Sequence, residues 1–317
     1  MSPEVNLEQI RQAALRIQPI ARRTPVLTSR GFDEAAGAAS YFKCENFQRG
    51  GAFKIRGASN FVFSIPKADL PRGVVAYSSG NHAQAVAIAA RYVGIPATLI
   101  MPEDAPRSKL AATRAQGANI ITYDRRRESR EAIGNRIAGE TGATLVPPFD
   151  HPWTIAGQGT AALELLDDAA NLDALIAPVG GGGLLSGCAI AAKAVNPSIR
   201  IFAAEPETAN DTYLSIEAGR RIEIPDPDTI ADGLRSHQPG VITFPILQRL
   251  VEKVLLVSER EIRETVKFLL ARLKILVEPS GAVPAAAVLY RRLPPGVRRI
   301  GVVLSGGNVD FETLAGM

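Results

Sequence analysis

Cysteine is nearly absent from this sequence: Cys44 and Cys188 are the only two in 317 residues, and no CxxC spacing occurs. That count excludes a disulfide framework and a cysteine metal site, and it fits a reducing cytoplasm. Long apolar runs are missing too. No segment reaches the length of a membrane span, and residues 1–18 carry Glu4 and Glu8 but no apolar core of signal-peptide type. A soluble, unprocessed chain with no membrane partner is expected. Basic charge is present but not concentrated. The net charge is +4, and the one dense run, Arg125-Arg126-Arg127, is followed at once by Glu128. This reads as a solvated turn or helix start, so no nucleic-acid partner is expected. Sequence repeats, low-complexity tracts and extended linkers are likewise absent. The chain stops soon after its last predicted strand, so no appended regulatory domain is expected.

Lysine is the scarce basic residue, with eight against 28 arginines. Where positive charge alone is wanted, this chain mostly uses arginine. A lysine set between an aromatic and small residues, as in Gly50-Gly51-Ala52-Phe53-Lys54-Ile55-Arg56-Gly57-Ala58, therefore invites a chemical reading. Lysine can lose its proton and form an imine, and arginine cannot. A solvated surface lysine is the plain alternative.

With 46% hydrophobic and 21% charged residues, the chain has the composition of a globular enzyme with a sizeable core. Asn6 caps a helical pattern at Leu7, Ile10, Ala14 and Ile17, and a short strand at 40–44 leads into the lysine loop and a helix to Phe63. Strands at 73–77, 97–101, 119–123 and 144–146 then alternate with helices at 82–92, 108–116 and 129–139. A second series has helices at 160–169, 184–195, 262–273 and 282–291, with strands at 174–179, 199–204 and 299–304. Such alternation predicts an α/β fold of two open parallel sheets with right-handed crossovers. The expected division is a large domain of residues 1–68 and 151–317, with a small domain of residues 72–148 inserted in it.

Three glycine-rich turns each follow a strand, where open parallel sheets place their ligands. In Pro178-Val179-Gly180-Gly181-Gly182-Gly183-Leu184, four glycines leave the backbone N–H groups unobstructed ahead of a helix start, a natural seat for phosphate. The spacing is neither GxGxxG nor a Walker loop, which counts against a dinucleotide or a nucleoside triphosphate. Ser78-Ser79-Gly80-Asn81-His82 places hydroxyls and an amide at a helix head, suited to capping or to a carboxylate. His82 reads as a base or as a packed first-turn residue. Leu304-Ser305-Gly306-Gly307-Asn308-Val309 puts a hydroxyl at the carboxyl edge of the last strand. Together the turns describe a ligand with a phosphate, a carboxylate and a ring atom wanting a hydroxyl partner.

Phe53-Lys54-Ile55-Arg56-Gly57, Ser78-Ser79-Gly80-Asn81-His82, the glycines at 180–183 and Ser305-Gly306-Gly307-Asn308 resemble, in order and spacing, the motif set of the serine/threonine dehydratases of pyridoxal phosphate fold type II. The resemblance runs from about Leu7 to Val309. It implies that the cofactor lies between the two domains, that Lys54 carries it as an internal imine and that Phe53 packs on its ring. It further implies that Asn81 bonds the phenolic oxygen, that Gly180, Gly181, Gly182, Gly183 and Leu184 hold the phosphate, and that Ser305 faces the pyridine nitrogen. A neutral serine there weakens the electron sink and suits β-elimination better than transamination. Ser78, Ser79, Gly80, Asn81 and His82 would receive the carboxylate of an amino-acid substrate, with Ser79 on the face opposite Lys54.

A second layer resembles the serine racemase and threo-3-hydroxyaspartate ammonia-lyase branch. In Glu205-Pro206-Glu207-Thr208-Ala209-Asn210-Asp211 the resemblance implies a divalent cation, Mg²⁺, Ca²⁺ or Mn²⁺, on the Glu205 and Asp211 side chains and the Ala209 carbonyl, where an unaided reading gives a polar surface turn. Pro147-Pro148-Phe149-Asp150-His151-Pro152 also matches, as does Ala231-Asp232-Gly233 beside the cofactor, with Glu278 near the substrate amine. Arg130 matches an arginine that approaches a substrate carboxylate; an exposed helical arginine paired with nearby acids is the alternative. One departure stands out. Gly50-Gly51-Ala52 replaces the family's commoner Thr-Gly-Ser, so no response to ATP is expected. The implied activity is dehydration of a β-hydroxy amino acid to a 2-oxo acid and ammonia, with racemisation as the competing outcome. The implied assembly is a homodimer.

Overall fold

The structure is a computed structural model that describes residues 5–317 except Ser79, Pro106 and Arg125, and omits the side chains of Arg107, Ser108, Lys109 and Ala112. Ser79 and Arg125, both singled out above, thus lie outside the described residues. The strands in chain order are Val26–Leu27 (β1), Ala39–Cys44 (β2), Val74–Tyr77 (β3), Ala97–Pro102 (β4), Asn119–Tyr123 (β5), Thr144–Leu145 (β6), Ala174–Pro178 (β7), Arg200–Pro206 (β8), Lys253–Val257 (β9) and Arg299–Leu304 (β10). They form a six-stranded sheet in the order β1-β2-β10-β7-β8-β9 and a four-stranded sheet in the order β5-β4-β3-β6.

The smaller sheet is parallel throughout. The larger one departs from the expected parallel arrangement at one edge, where β1 pairs antiparallel with β2, Val26 opposite Lys43. The strand period of two divides its apolar residues between two helical layers. Leu175, Ala177, Ile201, Ala203 and Val303 join the core shared with the helices Leu7–Ile17, Pro152–Asp168 and Gly183–Val195. Ala174, Ile176, Phe202, Ala204, Val302 and Leu304 face the helices Glu259–Phe268 and Pro279–Leu289. A third core joins β3 and β4 to the helix Asn81–Val93 and to Ile55, Ala58, Phe61 and Val62 of the helix Lys54–Ser64.

Several expected elements have different bounds. Lys54 is the first residue of a helix, not part of a loop before one. The helix expected at 160–169 begins at Pro152, because His151 Nδ1 accepts the Trp153 N–H at 3.1 Å and Pro152 needs no donor partner at the first position. The helix expected to reach 273 ends at Phe268 and continues as one π turn, Leu269–Leu273, closed by Lys274 at φ 60°. The helices Arg30–Ala36, Asp211–Ala218 and Thr243–Leu250 and the strand β9 were not anticipated.

The helix Pro152–Asp168 fixes the site from behind. A Cβ on Gly157 would meet the Arg56 carbonyl at 2.5 Å, and one on Gly159 would meet the Gly187 carbonyl at 2.7 Å. Two glycines of one helix thus let it touch, backbone to backbone, both the helix that starts at Lys54 and the helix that follows the glycine loop.

Candidate active site

Lys54 opens on a cavity that lies between the carboxyl ends of the two sheets. Its position is set from three sides. Phe53 donates its N–H to the Ser305 carbonyl at 3.0 Å, and Gly307 donates to the Gly51 carbonyl at 2.9 Å, so the turn after β10 is laced to the residues just before the lysine. A side chain on Gly51 would run into Asn308, which explains the glycine there. Lys54 Nζ donates to the Pro148 carbonyl at 2.8 Å. Burial lowers the amine pKa to about 8, against a smaller upward pull from Glu278. A neutral amine is therefore within reach near neutral pH.

The second wall is the glycine loop. Gly181, Gly182, Gly183 and Leu184 line the cavity, and Gly183 begins the helix Gly183–Val195. The N–H groups of that first turn have no acceptor within their own helix and stand at its positive end. A Cβ at Gly183 would lie 2.9 Å from Phe149 Cβ, and one at Gly181 would enter the Phe149 ring. Gly180 sits behind this wall, at φ 52°, with a would-be Cβ 3.4 Å from the Gly233 carbonyl. The four expected glycines are thus together, three of them on the cavity and the fourth supporting them.

Ser78, Gly80, Asn81 and His82 reach the cavity from the end of β3 and the head of the helix Asn81–Val93. Asn81 Nδ2 donates to Glu278 Oε1 at 2.8 Å, and Asn308 Nδ2 donates to Asn81 Oδ1 at 2.8 Å and to the Gly50 carbonyl at 2.7 Å. These bonds tie the small-sheet loop to the large-sheet side of the cavity. The His82 ring Nε2 lies 3.0 Å from the Val146 carbonyl, and burial, then the charge of Lys54, lowers its pKa to about 3. The imidazole is neutral at pH 7 and far too weak a base for general-base work.

Gly233, Glu278 and Ser305 line the same cavity, and Ser305 is 3% exposed. Arg130 stands at its edge, its guanidinium 5.7 Å from the centre of the Tyr77 ring and its Nε 2.8 Å from Glu131 Oε1. Both readings of Arg130 thus meet in one place: it borders the cavity and is paired with an acid. Tyr77, Phe149, Arg235, Ser236 and Ser280 also line the cavity and were given no role from sequence. Tyr77 was findable, since it ends a strand immediately before the Ser78 turn. Arg235 and Ser236 were not, because the stretch from 219 to 240 carries no helix or strand period.

Glu205, Ala209 and Asp211 form a separate group at the end of β8 and the start of the helix Asp211–Ala218. Glu205 accepts the N–H groups of Thr212 at 3.2 Å and Tyr213 at 2.9 Å. Asp211 is fully buried, and neither of its carboxylate oxygens has a hydrogen-bond partner among the described residues. Burial raises both carboxyl pKa values, and the neighbouring Glu205 charge raises that of Asp211 further. Two neighbouring buried acids, one of them given no donor by any other described residue, form a donor set that a hard divalent cation fits.

A lysine whose amine pKa is lowered, a glycine-flanked helix start and the Ser305 hydroxyl all border one cavity, a set of groups that suits an enzyme using a phosphorylated carbonyl cofactor. Residues 17–306 match the family model for pyridoxal-phosphate dependent enzymes, and the chain belongs to that family. It is 48% identical over 303 residues to the L-threo-3-hydroxyaspartate ammonia-lyase of Saccharomyces cerevisiae, spanning 96% of this chain and 93% of that one. It is 45% identical over 308 residues to the serine racemase of Schizosaccharomyces pombe, spanning 97% and 95%. The solved structure of maize serine racemase superposes with a TM-score of 0.96 at 46% identity, covering 99% of this chain and 97% of that one. Among the described residues no helix is long and apolar enough to cross a membrane.

Proposed function

We propose that this protein is a pyridoxal-phosphate dependent ammonia-lyase that converts a β-hydroxy amino acid to a 2-oxo acid and ammonia. The observation that carries the reading is the placement of Lys54, whose depressed amine faces both the glycine loop and the Ser78–His82 turn across one cavity. When bound, the cofactor supplies an aldehyde that takes up amines and a ring that withdraws electrons from Cα. Lys54 would hold that aldehyde carbon at rest. Displaced by the substrate amine, the neutral Lys54 amine would take the α-proton. The first-turn N–H groups from Gly183 onward would bind the phosphate, with Gly181 and Gly182 leaving room for it. Ser78 and the N–H groups at the head of the helix Asn81–Val93 would orient the substrate carboxylate. Ser305 would meet the ring nitrogen as a neutral partner, which favours departure of a hydroxyl from Cβ over prolonged charge at Cα.

The names of the relatives point to L-threo-3-hydroxyaspartate and serine as substrates to test first, with threonine beside them. Arg130, on the cavity lining, would approach a carboxylate of the substrate. Racemisation of serine is the second reading, favoured by the 45% identity to a serine racemase. It needs a proton donor on the face opposite Lys54, a role that the sequence gives to Ser79. Glu205, Asp211 and the Ala209 carbonyl would hold a divalent cation. Its charge would offset that of the two buried acids and stiffen the end of β8. The two buried thiols and the absence of a paired cysteine suit a cytoplasmic setting, and a homodimer is the proposed assembly.

The test is a panel of L-serine, L-threonine and the four 3-hydroxyaspartate isomers, scored for 2-oxo acid and for enantiomer of recovered amino acid, with and without EDTA. The lyase reading expects 2-oxo acid in excess over inverted amino acid. Inversion exceeding 2-oxo acid would make the racemase reading the main one, and neither product from any member would overturn both.

A further inference from the structure

The segment joining the two sheets, Val146 to Asp150, touches the site at Val146, Pro148 and Phe149. The Val146 carbonyl meets His82, the Pro148 carbonyl accepts from Lys54, and the Phe149 ring lies against Gly181 while its Cα and Cβ lie against Gly183. Asp150 contacts none of the cavity. Its carboxylate instead accepts three consecutive N–H groups: Oδ2 from Val241 at 2.8 Å, and Oδ1 from Ile242 at 2.8 Å and Thr243 at 3.1 Å. Those are orphan donors at the start of the helix Thr243–Leu250, whose own cap residue, Ile242, has no acceptor side chain. A single carboxylate from more than ninety residues away in sequence caps that helix, and charge-assisted bonds of this kind are among the stronger ones available.

The capped helix in turn forms the back of the glycine loop. Thr243 Oγ1 donates to the Gly181 carbonyl at 2.7 Å, and Gly240 N–H donates to the same carbonyl at 3.3 Å. A Cβ on Gly182, which holds φ 92°, would meet Thr243 Oγ1 at 2.8 Å. The Gly181 carbonyl is thus committed to Thr243 and Gly240 on the helix side, and a carbonyl oxygen facing a phosphate would repel it. Phe149 presses on the loop from one side, and Asp150, through the helix start, holds it from the other.

We infer that Asp150 is a positioning residue for the cofactor phosphate, acting through Thr243 on the Gly181–Gly182 peptide. This rests on the reading of the glycine loop as the phosphate cradle. Asp150 should then matter for the phosphate and not for the aldehyde or the ring.

The experiment compares equilibrium binding of pyridoxal 5'-phosphate and of pyridoxal, followed by the visible absorption band and by tryptophan fluorescence, in the full-length wild type and in Asp150→Asn, Thr243→Val and Thr243→Ser. The expected result is a roughly tenfold rise in the dissociation constant for pyridoxal 5'-phosphate in Asp150→Asn and Thr243→Val, against less than twofold for pyridoxal. Thr243→Ser, which keeps the hydroxyl, should restore wild-type affinity. The double variant should be no worse than about the weaker single one, because both changes break one relay. Retention of wild-type preference for the phosphorylated cofactor in Asp150→Asn would overturn the inference. So would equal losses for both cofactors, which signal general loosening. A wild type that does not distinguish the two cofactors would instead sink the cradle reading itself.

Discussion

A buried lysine, Lys43, and a half-buried one, Lys54, stand eleven residues apart in this chain, and their surroundings show what makes one of them chemical. Lys43, wholly buried on β2, lies 2.6 Å from Glu164 Oε2 and donates to the Thr24 carbonyl at 2.6 Å. Glu164 also binds Arg56, which grips Glu45 as well, so two cations and two carboxylates neutralise one another. Burial lowers the pKa of Lys43 too, and Glu164 opposes the drop. Lys54 has no carboxylate at ion-pair distance among the described residues; a backbone carbonyl holds its amine, and a cavity lies in front of it. Burial alone therefore does not produce a nucleophile. The difference lies in whether the partner fixes the ammonium form and whether a ligand can reach the amine.

The sharpest break in this comparison is the exchange of roles under mutation. Lys54→Ala should lower turnover by at least about a thousandfold while leaving the melting temperature of the apoenzyme within a few degrees, as steady-state kinetics and calorimetry would show. Lys43→Met should do the reverse. It unbalances the Glu164 and Arg56 cluster at a cost of about 3 kcal/mol, read by urea denaturation, with turnover per folded molecule unchanged.

The Glu205 and Asp211 pair offers a second contrast with the Arg56 cluster, since its buried acids pair with no side-chain cation among the described residues. Both folded pKa values lie above the unfolded ones, so without metal the folded state binds more protons than the unfolded state once pH passes the ordinary carboxylate range. Stability in EDTA should accordingly fall as pH rises from 5 to 9, and Mg²⁺ or Ca²⁺ should abolish most of that fall. Thermal melting across that range is the measurement, and indifference to cation would leave the pair as a protonated structural contact.

A smaller effect concerns the Lys54 titration. Its folded pKa of about 8 lies below the ordinary 10.5, so the unfolded state holds the extra proton in that window and the apoenzyme should gain stability from Lys54 as pH rises from 8 to 10.5. The rate of pyridoxal phosphate uptake by apoenzyme should rise through about pH 8. Glu278 pulls the Lys54 pKa upward, so Glu278→Gln should move that midpoint down by less than about one unit, the least of these effects.

Much of the site was legible because its parts are short, local and differently shaped. Four consecutive glycines before a helix, a serine turn at a strand end and an isolated lysine each carry a backbone or chemical signal within a few residues. The alternation of strand and helix likewise exposed both sheets. What escaped depends on contacts between distant segments. Asp150 reads as one acid in a proline-rich stretch, and only the folded chain brings it to Val241, Ile242 and Thr243. Arg235 lines the cavity for the same reason. The edge strand β1, two residues long, has no period to read, and the helix start at Pro152 is set by the His151 cap and not by apolar spacing.

The most direct test of the central claim is to reduce the holoenzyme with borohydride and map the labelled peptide by mass spectrometry. The account predicts one stoichiometric pyridoxyl group, on Lys54, with Lys43 untouched. A label on Lys43 or on any of the other lysines, or no label at all, would contradict it.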